Sequence, residues 1–504
     1  MTFRTWIGVL GLVWLAGAMS AGGAHAEPGK LSRADCWFKA PDKISARCYH
    51  LAVPESRSGR GNLTLELPVV VISVPETRKR EDPVVYLAGG PGDGAWLDAD
   101  RIDFWWKFVA DNTWLNERDL VLMDQRGTGL TQPRMDCPEQ EVAQIRSLSF
   151  GLNREAAREE WVKAAGECRT RVEKEGHDPL SYTSRDSATD LHDLMNALKL
   201  QQWNIYGLSY GTRLALTYAR DYPHDVRSLI LDSVYLPESA FMEDDAWRTD
   251  RAFRELFEGC RRSPDCDRWY PNLEQRLLAL VEKLNATPIE REVALESGKR
   301  VKVVVTGELL LNYLFQNLYN RSGIEVVPQI IDLFEKGSTA AVTREIGYLA
   351  DLYVDRPDWG DALSLSVDCH EEVPFNDFEK LKQDYLRYPL LKSFADDESW
   401  GAACAKWPMG PVDPIENQPI YSDVPALLLT GLYDPITPPQ YARLAGSRMV
   451  NSLYFEFLSA GHDVLSNEPC AGELAKQFLD DPKRMPGAAC LGHLKPPEFR
   501  PPAS

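Results

Sequence analysis

The chain has 504 residues, with 56 Lys and Arg against 75 Asp and Glu, a formal net charge of −19. Neither this balance nor any long Lys/Arg run supplies the basic face that releases counterions from a polyanion, which argues against nucleic acid as a partner. An apolar share of 44%, with 10% aromatic and 26% charged residues, belongs to a globular protein with a sizeable core rather than a disordered or fibrous one.

The first residues have the pattern of an export signal: Arg4 in a short positive region, an apolar run over 6–18, and Ala24-His25-Ala26 as a small-x-small cleavage site. Residues 1–26 are therefore expected to be removed, leaving an exported chain, periplasmic or secreted, that starts at Glu27 and has no membrane anchor. The run is shorter than the roughly 20 residues that span a bilayer, and Gly8, Gly11 and Gly17 interrupt it. All 10 cysteines lie beyond it, an even number that favours disulfides in an oxidising compartment. Neighbours along the chain, from Cys36 and Cys48 to Cys470 and Cys490, are spaced so that five local bridges could close, although spacing alone does not prove that pairing. No CxxC or HExxH spacing is present, so neither a metal site nor a cofactor is expected.

Strand-like runs are expected at 63–72, 83–88 and 119–124, the last two being short apolar stretches bounded by turn residues, as in strands buried on both faces. Thr183 with Asp186 forms a capping sequence ahead of a helical stripe of Leu191, Leu194, Met195 and Leu198. Further strands are expected at 203–206, 226–231, 426–430 and 453–457. This alternation predicts an α/β fold, a mostly parallel sheet flanked by helices. Residues 238–421 are helical in pattern and rich in aromatics; they read as a large lid inserted before the last two strands, dividing a core of 27–237 and 422–493. Residues 494–504, with Pro496, Pro497, Pro501 and Pro502, read as a Pro-rich extension.

Gly207-Leu208-Ser209-Tyr210-Gly211 is a G-x-S-x-G that follows one of these strands and precedes a helical run. The bare pattern is weak; its place between strand and helix gives it weight, because glycines are needed where a sharp strand-to-helix turn holds a strained serine. A serine hydroxyl is too weakly acidic to attack an acyl carbon unaided, so a histidine base and an orienting carboxylate are required, in the order Ser, acid, His. Asp434 lies in the Gly431-Leu432-Tyr433-Asp434-Pro435 turn after one strand, and His462 in Ser459-Ala460-Gly461-His462-Asp463 after the next. Asp232, at the end of 226–231, is a rival acid. Asp434 is preferred because its turn immediately precedes the strand that delivers His462. The Gly89-Gly90-Pro91-Gly92 loop lets backbone N–H groups approach a developing oxyanion, with the amides of Gly90 and Tyr210 as the expected donors. Asp124-Gln125-Arg126-Gly127-Thr128-Gly129 is read as scaffold beneath the site.

Together, the Gly-Gly-Pro-Gly loop, the Asp-Gln-Arg-Gly-Thr-Gly run, Gly-Leu-Ser-Tyr-Gly, Asp434 and His462 resemble the prolyl aminopeptidase and tripeptidyl aminopeptidase branch of the α/β-hydrolases over about residues 60–480. The cysteine-rich form, with a C-terminal segment carrying Asp434 and His462, is similar to the tripeptidyl type in particular. Ala88 departs from the histidine that precedes Gly-Gly-Pro-Gly in many members. The resemblance implies an α/β-hydrolase fold and a serine exopeptidase acting on peptides with a free N-terminus. Such an enzyme must recognise an ammonium group, and Glu371 and Glu372, near the end of the lid, are the expected receptor. The alternatives are a carboxylesterase using the same three residues and a non-catalytic binding module on the same fold.

Overall fold

A computed structural model describes residues 29–337, 339–354, 358–395 and 399–503; the expected export signal lies outside them. Eleven strands occur among the described residues: β1 (Lys30–Ala34), β2 (Ser45–Pro54), β3 (Thr64–Ser73), β4 (Val84–Leu87), β5 (Leu120–Met123), β6 (Trp203–Leu208), β7 (Val226–Asp232), β8 (Ile289–Ala294), β9 (Arg300–Val305), β10 (Ala426–Gly431) and β11 (Ser452–Phe457). Nine of them build one sheet in the order β1-β2-β3-β5-β4-β6-β7-β10-β11. From β5 to β11 every pairing is parallel, and every residue of β5 and of β10 is buried, in keeping with the apolar runs 120–123 and 426–429.

The β1–β2 edge is antiparallel and was not foreseen. Its strands mix Arg33, Arg47, Tyr49 and His50 among apolar residues, so neither a two-residue period nor an apolar run marks them. Tertiary pairing makes the strand: β2 lies along the whole of β3, and Cys48 is bonded to Cys36 just beyond β1. By contrast, the capping sequence forms as predicted. Thr183 Oγ1 accepts the Asp186 amide at 3.1 Å and starts the helix Ser184–Ala197, whose Leu191, Leu194 and Met195 are buried.

Between β7 and β10 the chain runs through a series of helices, from Asp245–Arg262 to Ser399–Lys406, and through the β8–β9 hairpin, which the helical pattern did not anticipate. This insertion has an apolar core of its own. Val293, Val301, Val303 and Val305 of the hairpin pack there with Leu277, Leu314 and Ile331. Leu148, from a helix ahead of β6, and Phe499, from the C-terminal tail, join the same core. The Pro-rich tail is thus packed in place: the Arg500 amide donates to the Glu325 carbonyl at 3.0 Å, and the Tyr270 hydroxyl to the Arg500 carbonyl at 2.8 Å.

Five disulfides join sequence neighbours: Cys36–Cys48, Cys137–Cys168, Cys260–Cys266, Cys369–Cys404 and Cys470–Cys490. Among the described residues no helix is long and apolar enough to cross a membrane.

Candidate active site

β6 delivers Ser209 at its C-terminal end, and the helix Tyr210–Asp221 begins at the next residue. Ser209 has φ 57° and ψ −124°, a conformation that L side chains rarely adopt. The flanking glycines are required by close approach: a Cβ on Gly207 would sit 2.5 Å from the Gly211 carbonyl oxygen, and one on Gly211 would sit 2.1 Å from that of Leu87. The serine backbone is pinned from both sides. Its amide donates to the Asp232 carbonyl at 3.0 Å, and its carbonyl accepts from the amide and hydroxyl of Thr212 at 2.8 and 2.6 Å. Tyr210 is the first helical residue, so its amide has no carbonyl to receive it within the helix.

Asp434 follows β10, and His462 follows β11. His462 Nδ1 lies 2.9 Å from Asp434 Oδ2, which also accepts the Thr437 hydroxyl at 2.8 Å, while Asp434 Oδ1 accepts the amides of Ile436 and Thr437 at 2.9 and 2.8 Å. Both groups are buried. Burial pushes the Asp434 carboxyl up, but the charge of His462 and the hydrogen bonds from His462 and Thr437 hold it below the ordinary value. Burial likewise pushes the His462 ring down, and the adjacent Asp434 carboxylate carries it above the ordinary imidazole value. With Nδ1 facing the carboxylate, Nε2 is left for a substrate-side partner.

The rival acid, Asp232, does not face the ring. It accepts the amides of Val464 and Leu465 at 2.9 and 2.7 Å, and burial pushes it up to about 7. Asp463 caps the short turn that follows, accepting the Ser466 amide at 3.2 Å.

The Gly89–Gly92 loop abuts the serine: a Cβ on Gly89 would lie 3.2 Å from Ser209 Cβ, and Gly90 has φ 103°. The Asp-Gln-Arg run braces this loop from beneath. Gln125 Nε2 donates to the Ala88 carbonyl at 3.2 Å, and Asp124 accepts the amides of Ala95 and Leu130 at 2.6 and 2.8 Å. Arg126 is fully buried, pairs with both oxygens of Asp190 at 2.7 Å, and donates to the carbonyls of Glu55 and Ser181.

Ser209, His462 and Gly90 line one cavity of about 790 Å³. On the sheet side its wall is aromatic: Tyr86, Trp105 and Tyr206 form a connected cluster, with ring centroids 4.8 Å apart for Tyr86–Trp105 and 5.2 Å for Tyr86–Tyr206. The insertion supplies the opposite wall, including Tyr235, Asp245, Arg248, Tyr319 and Asp368.

Glu371 and Glu372 do not line this cavity, which corrects the expectation that they receive an ammonium group. Both are fully buried and paired with Arg213, at 3.2 Å for Glu371 Oε2 and 2.5 Å for Glu372 Oε1. They share one guanidinium that the sequence places far away, in the helix after Ser209, and burial pushes the Glu372 carboxyl up to about 7. Of the acids in the π turn Asp368–Glu372, which continues the helix Asp361–Val367, Asp368 is the one that lines the cavity, alongside Asp93, Asp245 and Asp463 from other elements. Burial and the negative charge of Glu372 push the Asp368 carboxyl well above its ordinary value. The sequence had marked this turn for its acids, but it carried no signal of which one faces inward. Among the described residues the one cluster at chelating distance, Cys137, Glu139 and Cys168, has both sulfurs in a disulfide and is no metal site.

Comparison with known proteins agrees with this architecture. Residues 82–270 match the model of the alpha/beta hydrolase fold, and residues 389–490 match that of TAP-like protein. Serine protease Hip1 of Mycobacterium tuberculosis is 25% identical over 484 residues, covering 88% of this chain and 87% of that one. Tripeptidyl aminopeptidase of Streptomyces lividans is 24% identical over 453 residues, covering 86% of this chain and 81% of that one. Proline iminopeptidase of Arabidopsis thaliana is 25% identical over 250 residues, 47% of each chain. A parallel sheet with a strained serine after β6, a paired aspartate and histidine after its last two strands, and these two matches agree: the chain has the α/β-hydrolase fold, and the C-terminal segment that carries Asp434 and His462 matches TAP-like protein.

Proposed function

We propose that this hydrolase is an exported serine exopeptidase that releases amino acids or short peptides from free N-termini through an acyl-enzyme. The observation that carries the reading is the buried His462–Asp434 pair at 2.9 Å, opening on the same cavity as the strained Ser209. In this reading Ser209 Oγ attacks the scissile carbonyl while His462 Nε2 takes its proton, and Asp434 stabilises the imidazolium. The amides of Gly90 and Tyr210 receive the oxyanion. Collapse breaks the C–N bond as His462 returns the proton to the leaving amine, and a water molecule then repeats the sequence to free the acyl product. The insertion serves as the lid, walling the cavity so that chain ends enter and folded proteins do not. Asp368 takes the role of ammonium receptor: among the described residues its carboxylate meets the Ser364 hydroxyl at 3.4 Å, and an arriving cation would favour its ionised form. Names carried by relatives, a tripeptidyl aminopeptidase and a serine protease, support peptide substrates, and the five disulfides support export.

The test pairs fluorophosphonate labelling with turnover of aminoacyl and tripeptidyl arylamides and of short acyl esters. Labelling that disappears in Ser209→Ala, with arylamide turnover that requires an unblocked amine, is the expected result. Turnover of esters alone would replace the reading with a carboxylesterase, and an unlabelled wild type with a binding module.

A further inference from the structure

The helix that starts at Ser209 is tied to the insertion by a chain of buried polar groups that the proposed mechanism does not use. Arg213, in the first turn of that helix, is buried and donates to Glu371 Oε2 at 3.2 Å, Glu372 Oε1 at 2.5 Å, the Pro237 carbonyl at 3.1 Å and the Glu416 carbonyl at 3.0 Å. Glu371 in turn accepts from Ser184, the amide at 2.7 Å and the hydroxyl at 2.6 Å. The Ser184 hydroxyl also lies 2.8 Å from the phenol oxygen of Tyr210. The proton inventory fixes the direction. The single Ser184 hydroxyl proton is donated to Glu371 Oε2, so the Tyr210 phenol donates to Ser184. Arg213, Glu371, Ser184 and Tyr210 are all fully buried, and each is hydrogen-bonded to the next along this path.

We propose that Arg213, Glu371 and Ser184 are positioning residues: through the Tyr210 phenol they hold the Ser209 turn and the Tyr210 amide in working geometry, and through the peptide chain they hold Asp368 at a fixed distance from Ser209. The inference rests on the exopeptidase reading for the role of Asp368. Two facts point to positioning rather than to stability alone. A buried ion pair is a weak source of net stability, since apolar groups of the same volume often serve as well. A strained backbone such as that of Ser209 persists only where its surroundings over-determine it, and here the anchored tyrosine is the very next residue. The consequence for specificity is a ruler. The turn that presents Asp368 and the helix that presents Ser209 move as one body, so the stretch of substrate between ammonium and scissile bond has one length.

The experiment uses the full chain in four variants: Ser184→Ala, Tyr210→Phe, their double, and Glu371→Gln. Tyr210→Phe keeps the amide and removes only the phenol. It and Ser184→Ala should each lower kcat and the rate of fluorophosphonate labelling by about tenfold, less than the roughly 10²–10³-fold of losing an oxyanion donor outright. KM should stay close to wild type, Tm should fall only by the worth of a lost buried hydrogen bond, and the double variant should be no slower than the slower single, because both cut one path. Multiplying losses, or a Tyr210→Phe enzyme with full kcat, would overturn the positioning role. For Glu371→Gln, mass spectrometry of products from a long peptide should change from one released length to a mixture; a single unchanged length would overturn the ruler. If the wild type labels but hydrolyses only esters, the exopeptidase reading and the ruler fall, while the labelling rates of Ser184→Ala and Tyr210→Phe still decide the positioning role.

Discussion

Asp232 Oδ2 accepts the Leu465 amide at 2.7 Å, so the aspartate that competes with Asp434 in the sequence supports the histidine loop from beneath instead of orienting the ring. The two carboxylates therefore predict different losses. Asp434→Asn should lower kcat by about 10⁴-fold, because the imidazole loses its tautomer and its counter-charge. Asp232→Asn should cost no more than about 100-fold, the scale of a small misplacement. Steady-state kinetics on one arylamide separates them, and equal losses would reassign the acid.

The same residue makes a stability prediction. Its carboxyl stands at about 7 in the fold against an ordinary 3.8, so the folded state holds a proton that the unfolded state has lost. That contribution is complete below the ordinary value and is lost as pH rises towards 7. Asp232→Asn, which does not titrate, should therefore gain Tm relative to wild type between pH 4 and pH 8. Thermal melts across that range check the slope.

The proposed mechanism assigns the acidic limb of activity to His462, a base only when neutral, and Asp434 holds its pKa above the ordinary imidazole value of 6.5. The kcat/KM profile should therefore fall towards acid with an inflection above 6.5, and Asp434→Asn should move that inflection down. An inflection that ignores Asp434 would separate the pair functionally.

Asp368→Asn should raise KM for substrates with a free amine by about tenfold or more, the worth of one charge-assisted hydrogen bond, while leaving the labelling rate of Ser209 unchanged. Parallel measurement on amine-blocked analogues shows whether the effect belongs to the ammonium. The same change on both substrate sets would place the receptor elsewhere.

Two glycines contrast sharply. Gly211→Ala puts a Cβ 2.1 Å from the Leu87 carbonyl oxygen, a backbone contact that cannot yield, and should destabilise by more than about 3 kcal/mol. Gly401→Ala, in the helix Ser399–Lys406, meets nothing within 4 Å and should stabilise by about 0.4–1 kcal/mol. Chemical denaturation of both variants checks the sign.

These contrasts mark how far the sequence could be read. The turn at Ser209 was legible because its determinants are local: two glycines at fixed spacing, an apolar strand before them and a helix after. The parallel strands were legible because burial on both faces writes continuous apolar runs. The β1–β2 edge and the β8–β9 hairpin were not, since one-sided strands with mixed polarity acquire their character only from the surface they pair with.

By itself, then, the sequence determined the order of Ser209, Asp434 and His462 and the strands that carry them, because chain order and hydrophobic period are one-dimensional properties. Which carboxylate does what was decided only in three dimensions. Glu371, Glu372, Asp368 and Asp232 are the same functional group in the sequence. A guanidinium reaching across from the helix after Ser209 engages the first two, backbone amides engage the last, and Asp368 is left lining the cavity. The charge, the proton and the role of a carboxyl group follow from the neighbours that surround it, and tertiary contact alone supplies them.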